Sequence, residues 1–423
     1  MPFFAFIKEF GKIPPKKSYF QNMKRVKIRK MFTAALLGIA GISTAWAAPL
    51  FIGYYPDWGK WHKPAYTVDK VPYDKLTHVL WSFITPDTDG SLRGDAAEDP
   101  SALDSMVTLA HAAGTKVIVS LGGGGQSENF VPVATNDALR GKFIANLVQF
   151  VADHNLDGLD MDWEWEYTPV PEADTIAYSK LLTELREALP KDKSLSAALP
   201  CSPYYGKWFT PEVLVKNLDW FGFMTYDMTG DWDEKAVFDS PLYPHEGYTT
   251  WSWEETRDYW KKRGVPTEKM VFGIPSFGFQ FEGATGPGSD FTSAKQVAYK
   301  DIVANTGWEY FYDSVSVEPY GVSATGYVTF EDPHSSAIKS RWVKENGYAG
   351  IMVWEVSHDY IEGTGNPILD SIYIALQDAN AAIRPHYGKA MSNDRRKTRA
   401  TDLKGRNVPP KAARGAYYPV NGK

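Results

Sequence analysis

From residue 157 to residue 164 the chain reads Asp-Gly-Leu-Asp-Met-Asp-Trp-Glu, which sets carboxyls at Asp160, Asp162 and Glu164, every second position. In a β-strand that spacing aims all three at one face. Like charges crowded there, beside apolar neighbours that strip water from them, push at least one carboxyl's pKa above its ordinary value. A carboxyl that keeps its proton near neutrality is a general acid. A calcium loop would put glycines and oxygen-bearing side chains between the acids, but Leu159, Met161 and Trp163 stand there instead.

Eight short apolar runs, alternating with helical patterns, supply elements to position such a group. Leu50–Tyr54, Thr77–Ile84, Lys116–Leu121, Gly158–Trp163, Ser194–Leu199, Trp220–Tyr226, Met270–Pro275 and Gly350–Trp354 are nearly continuous in apolar or small residues, as strands buried on both faces are. Between them, Leu139, Phe143, Leu147 and Val151 form one helical stripe and Tyr178, Leu181, Leu185 and Leu189 another. Ser252 with Glu255 predicts a capping box closed by Gly264, and Asn366-Pro367 predicts the cap and first turn of a last helix. Eight strand-then-helix repeats predict an α/β fold, a closed parallel (β/α)8 TIM barrel, with room for a modest insertion at about residues 279–330, between strands seven and eight.

The 423 residues, 43% of them hydrophobic, suffice for one large core at residues 48–383. Residues 1–47 read as a leader. Lys24, Arg25, Lys27, Arg29 and Lys30 precede an apolar run from Met31 to Ala45, and Ala45-Trp46-Ala47 is a small-x-small cleavage site, so a secretory signal with its start at Met23 and export of the mature chain are expected. The run is too short for a stable membrane span. Residues 384–423 hold 11 Lys/Arg against 2 Asp/Glu, with prolines and glycines, the composition of a basic, disordered tail. Between the two ends, 25 Lys/Arg stand against 48 Asp/Glu, an acidic body that disfavours nucleic acid and suits a neutral or cationic ligand. Cys201 is the only cysteine, so stability must come from the core. No Cys/His cluster has metal spacing; His62, His78, His111 and His358-Asp359 read as packing or surface groups, and neither metal nor cofactor is expected. A monomer is expected.

Barrel enzymes place their chemistry at the carboxyl ends of the strands, and the informative residues fall there. The acidic stretch ends the fourth strand, Ser120-Leu-Gly-Gly123 the third, Met224-Thr-Tyr226-Asp227 the sixth, and Trp354-Glu355 the eighth. Through these four motifs, over most of residues 50–380, the sequence resembles glycoside hydrolase family 18, the chitinases and their relatives. The resemblance implies that Glu164 is the proton donor, that Asp162 holds and polarises a substrate acetamide, and that Asp160 is its buried partner. It implies that Tyr226 and Asp227 bind the N-acetyl group, that Trp354 forms the floor under the cleaved sugar, and that Tyr54 lies near the acids. Phe83, Gly123, Met224 and Trp232 complete the implied substrate site, and the resemblance implies that the insertion between strands seven and eight is a small α+β unit. The family is an exception to the two-carboxylate rule of retaining glycosidases: the nucleophile is the substrate's own 2-acetamido oxygen.

Aromatic residues make up 14% of the chain, and Trp58, Trp61, Trp165, Trp232 and Trp354 cluster at predicted strand ends, where flat sugar faces stack. Trp81 and Trp220 read as core. The sequence departs from the family pattern at Gly124, where a tryptophan is common, at Trp165 and at Phe277, where tyrosines are common. Three activities share the signature: a chitinase on N-acetylglucosamine polymers or oligomers, which the intact motif favours, an endo-N-acetylglucosaminidase on N-glycans, and a non-catalytic chitin-binding lectin. The last typically lacks the terminal Glu or an Asp of the motif, and both are present here.

Overall fold

The computed structural model describes residues 48–377 and the backbone of Tyr418–Pro419. The leader and the rest of the basic tail lie outside the described residues. The strands are β1 (Leu50–Pro56), β2 (His78–Pro86), β3 (Leu92–Arg93), β4 (Lys116–Gly122), β5 (Gly158–Asp162), β6 (Ser194–Pro200) and β7 (Trp220–Met224). After them come β8 (Met270–Pro275), β9 (Phe277–Glu282), β10 (Ser293–Ala298), β11 (Glu309–Asp313), β12 (Glu318–Val322), β13 (Gly326–Phe330), β14 (Gly350–Trp354) and β15 (Tyr418–Pro419).

Eight of them close a parallel barrel in the order β1-β14-β8-β7-β6-β5-β4-β2, with β2 pairing back to β1. The predicted barrel is what forms. Its strands are buried along almost their whole length because helices cover the outside and side chains fill the inside. The helix Asp137–Asp153 buries Phe143, Leu147 and Val151 against the sheet, and the helix Glu172–Ala188 buries Tyr178, Leu181 and Leu185, the stripes seen in the sequence.

The insertion is an antiparallel sheet of order β10-β9-β13-β12-β11, with the short helix Tyr299–Ala304, and β15 from the tail pairs with its β11 edge. It leaves the barrel directly after β8 and returns through the helix Pro333–Glu345 to β14.

Two end-caps differ from expectation. Ser252 does cap the helix Trp253–Lys262 by accepting from Glu255 N at 3.2 Å, but the Glu255 carboxylate accepts from the Ser252 hydroxyl at 2.7 Å in place of the backbone N–H, so no reciprocal box forms. A reciprocal box forms at Asp332 and Ser335 instead, before Pro333. The last helix, Pro367–Gln377, begins at the expected proline but is capped by Asp359, which accepts from Ile368 N and Leu369 N, both at 3.0 Å. Asn366 spends its amide on Val356 O at 2.7 Å.

Candidate active site

Parallel register brings the acids to the barrel mouth. Ser120 of β4 and Ser196 of β6 stand level with Asp160 of β5, and Gly122 stands level with Asp162. Asp160 is 1% exposed, and its carboxylate accepts from Ser196 Oγ at 2.6 Å, Ser120 Oγ at 2.8 Å and Tyr54 Oη at 3.0 Å. Burial raises its pKa against the pull of those three donors. Asp162 is buried, and its Oδ1 has no hydrogen-bond partner among the described residues. Burial, then the charges of Glu164 and Asp160, raise it well above the ordinary carboxylate range.

Glu164 lies just past the end of β5 and is half-buried, its backbone N–H donating to Ser127 Oγ at 3.1 Å. Burial, then the charge of Asp227, push its carboxyl up to about 7. Asp157, the first acid of the motif, sits at the opposite end of the strand, where it accepts from Val117 N and His111 Nε2, both at 2.8 Å. It joins strands and does not reach the mouth.

Glycines permit the close approach between β4 and the acids. Gly122 and Gly123 have φ of 115° and 90°; a Cβ on Gly122 would lie 2.3 Å from Asp162 O, and one on Gly123 would lie 2.5 Å from the Phe83 ring. Above that ring an aromatic floor assembles: Phe83 stacks on Trp354 at 5.6 Å and on Trp58 at 6.2 Å, and Tyr54 meets Trp354 edge-on at 5.6 Å.

β7 ends at Met224, two residues earlier than expected, so Tyr226 and Asp227 lie in the following turn. Tyr226 is buried, its ring meeting Phe277 edge-on at 5.8 Å, and burial, then the charge of Asp162, raises its phenol well above the ordinary range. Asp227 is exposed at the barrel mouth, yet the protein that crowds its carboxyl raises that group to about 7. Met224 is half-buried and lines a cavity of about 50 Å³ beside Glu164, with Trp163, Trp165, Pro200, Tyr205 and Phe209 among its other walls.

The structure therefore gathers Tyr54, Phe83, Gly123, Asp160, Asp162, Glu164, Met224, Tyr226, Asp227 and Trp354 at one end of the barrel. Trp232 is 61% exposed and packs edge-on to Phe279 of β9, joining the barrel mouth to the insertion. Trp165, expected beside it as a sugar-stacking ring, is core: it is buried among Trp163, Tyr178 and Phe209. Ser196 and Ser127 join the site beyond the residues that the sequence predicts for it. A serine inside an apolar strand was the available signal for Ser196, since a buried hydroxyl needs a partner; the loop position of Ser127 carried none.

The model of glycosyl hydrolases family 18 matches residues 50–359, which spans the barrel and the insertion. This chain belongs to that family. It is therefore a glycoside hydrolase by descent, with the family barrel and its acidic strand in place. Among its relatives, the endochitinase of Manduca sexta is 27% identical over 81% of this chain and 70% of its own length. Endochitinase 1 of Metarhizium robertsii is 26% identical over 72% of this chain and 80% of its own. The solved catalytic domain 2 of the Ostrinia furnacalis Group II chitinase superposes with a TM-score of 0.74 at 26% identity, covering 80% of this chain and 99% of that one, and a mutant of that domain has been solved in complex with penta-N-acetylchitooctaose.

Proposed function

We propose that this family 18 hydrolase is an exported chitinase that cleaves β-1,4 bonds of N-acetylglucosamine polymers or oligomers with the substrate's acetamide as nucleophile. The observation that carries the reading is the division of labour among the three strand-end carboxyls. Asp160 is saturated by three hydroxyls and too recessed to touch a sugar; Glu164 is half-open and holds a proton near neutrality; Asp162 keeps a buried oxygen without a partner. An acetamide N–H would satisfy that oxygen.

In this mechanism Glu164 protonates the departing glycosidic oxygen while the acetamide carbonyl attacks the anomeric carbon. Asp162 accepts the acetamide N–H, and the positive charge that develops on the acetamide as its carbonyl attacks favours the ionised carboxylate that balances it, an effect that grows where water is scarce. Tyr226 and Asp227 hold the N-acetyl group, and Asp160, kept in place by Tyr54, fixes Asp162. Trp354 and the stacked Phe83 form the floor, with Gly123 allowing Phe83 to lie flat; Met224 backs the acid and Trp232 stacks on a neighbouring sugar. Water opens the ring from the side of the departed sugar, so configuration is retained.

The test is product analysis on exported protein, whose first residue should be Ala48, with chitin oligomers, a high-mannose glycopeptide and an oligomer deacetylated at the cleaved sugar. Chitin oligomers should yield β-anomers first, and the deacetylated one should bind without reacting. An α-anomer, or cleavage of the deacetylated oligomer, would make Asp227 or Asp162 a direct participant in place of the acetamide. Preferential cleavage of the glycopeptide would move the enzyme to N-glycans.

A further inference from the structure

The turn that carries Tyr226 and Asp227 is tied at both ends to one neighbouring segment. Ser240 Oγ donates to Thr225 O at 2.6 Å, and Met228 N donates to Asp239 O at 3.1 Å. Trp253 Nε1 donates to Thr225 O at 3.1 Å and to Ser240 Oγ at 3.0 Å, bridging the two. Between the ties, Asp227 has a φ of 53°, a left-handed conformation that a non-glycine residue keeps when its surroundings impose it.

What grips the segment comes from the insertion and the helix after it. Glu318 of β12 accepts from Asp239 N at 2.9 Å and from Ser240 N at 3.1 Å, so one carboxylate gathers two consecutive backbone donors. Thr329 of β13 donates to the same carboxylate. Lys339, on the helix Pro333–Glu345, donates to Ser240 O and pairs with Glu331. Asp239, Ser240, Glu318, Glu331 and Lys339 are all 0% exposed. Charges buried this completely give up hydration that their mutual attraction rarely outweighs. Here they meet at two peptide units, which is the arrangement expected of groups that fix a backbone position.

We infer that Glu318 and Lys339 are positioning residues for the hydrolysis: they clamp Asp239–Ser240, and through that segment the turn that offers Tyr226 and Asp227 to the substrate, an inference that rests on the roles proposed above. The insertion then holds, through Glu318, the segment on which that turn rests.

Glu318→Gln preserves shape and one acceptor oxygen but loses the charge that holds two N–H groups together. Its kcat on an N-acetylglucosamine tetramer should fall by on the order of 10- to 100-fold, the scale of a displaced catalytic geometry, with KM little changed. In a Tyr226→Phe background the same substitution should cost far less, because groups acting through one element are not additive. Amide exchange of residues 225–228, followed by mass spectrometry, should accelerate in Glu318→Gln. A wild-type kcat, full additivity with Tyr226→Phe, or unchanged exchange of that turn would overturn the clamp. The exchange result stands without turnover, so a wild-type enzyme inert on N-acetylated oligomers would count against the proposed function and leave the clamp judged on its own.

Discussion

Glu164 keeps its proton because protein surrounds it and because Asp227 adds negative charge nearby, and both causes act in the same direction. As a general acid it works only while protonated. Activity should therefore hold below its pKa and fall as the pH rises through about 7. The same group gives the sharpest substitution: Glu164→Gln keeps the shape and loses the transferable proton, so turnover should drop about 10²- to 10⁴-fold while oligomer binding, measured calorimetrically, stays close to wild type. An alkaline limb that survives in Glu164→Gln would assign that limb to Asp227, whose carboxyl also titrates at about 7.

At the scale of elements, the last helix shows where local pattern stops being informative. Asn366-Pro367 has the residue types of a helix start, yet the cap is Asp359, seven positions before Asn366 and brought alongside by the chain's path after β14. Asp359→Ala should lower stability by about 1–3 kcal/mol, the cost of leaving buried N–H donors without an acceptor, as chemical denaturation would read. The same limit explains the rest of what the sequence did and did not yield. The eight strands and the stripes of the two helices were legible because strand and helix periods are local. The acids, Tyr226 and Trp354 were legible because they sit in dense motifs. Ser196 became visible only through register with Asp160, Trp165 turned inward because Tyr178 and Phe209 lie beside it, and the Glu318 clamp joins residues about 80 positions apart.

For the whole molecule, several buried acids have folded-state pKa values above their ordinary ones. Glu355, which accepts from Ser357 N at 2.7 Å and Ser357 Oγ at 2.8 Å and is fully buried, is raised by burial to about 7, like Glu164. Unfolding returns such groups to about 4.5, so the folded state binds more protons between those values. The stability they contribute is full below about 4.5 and is lost as the pH rises through about 7. The melting temperature should therefore decline from pH 5 to pH 8, against the usual expectation that acid weakens a protein. His78 and His358, held neutral by burial with pKa values lowered to about 4 and about 3, act in the opposite sense, so a flat or rising curve over that interval would mean that the carboxyls do not carry the balance.

The three hydroxyls around Asp160 come from β1, β4 and β6, with the carboxylate itself on β5. A strand shifted by one residue turns every side chain to its other face. A slip in β1, β4 or β6 would take one donor from a buried carboxylate, and a slip in β5 would take the carboxylate from all three, a cost that the native alignment avoids. The group that steadies the chemistry thus also favours the native alignment as the barrel assembles.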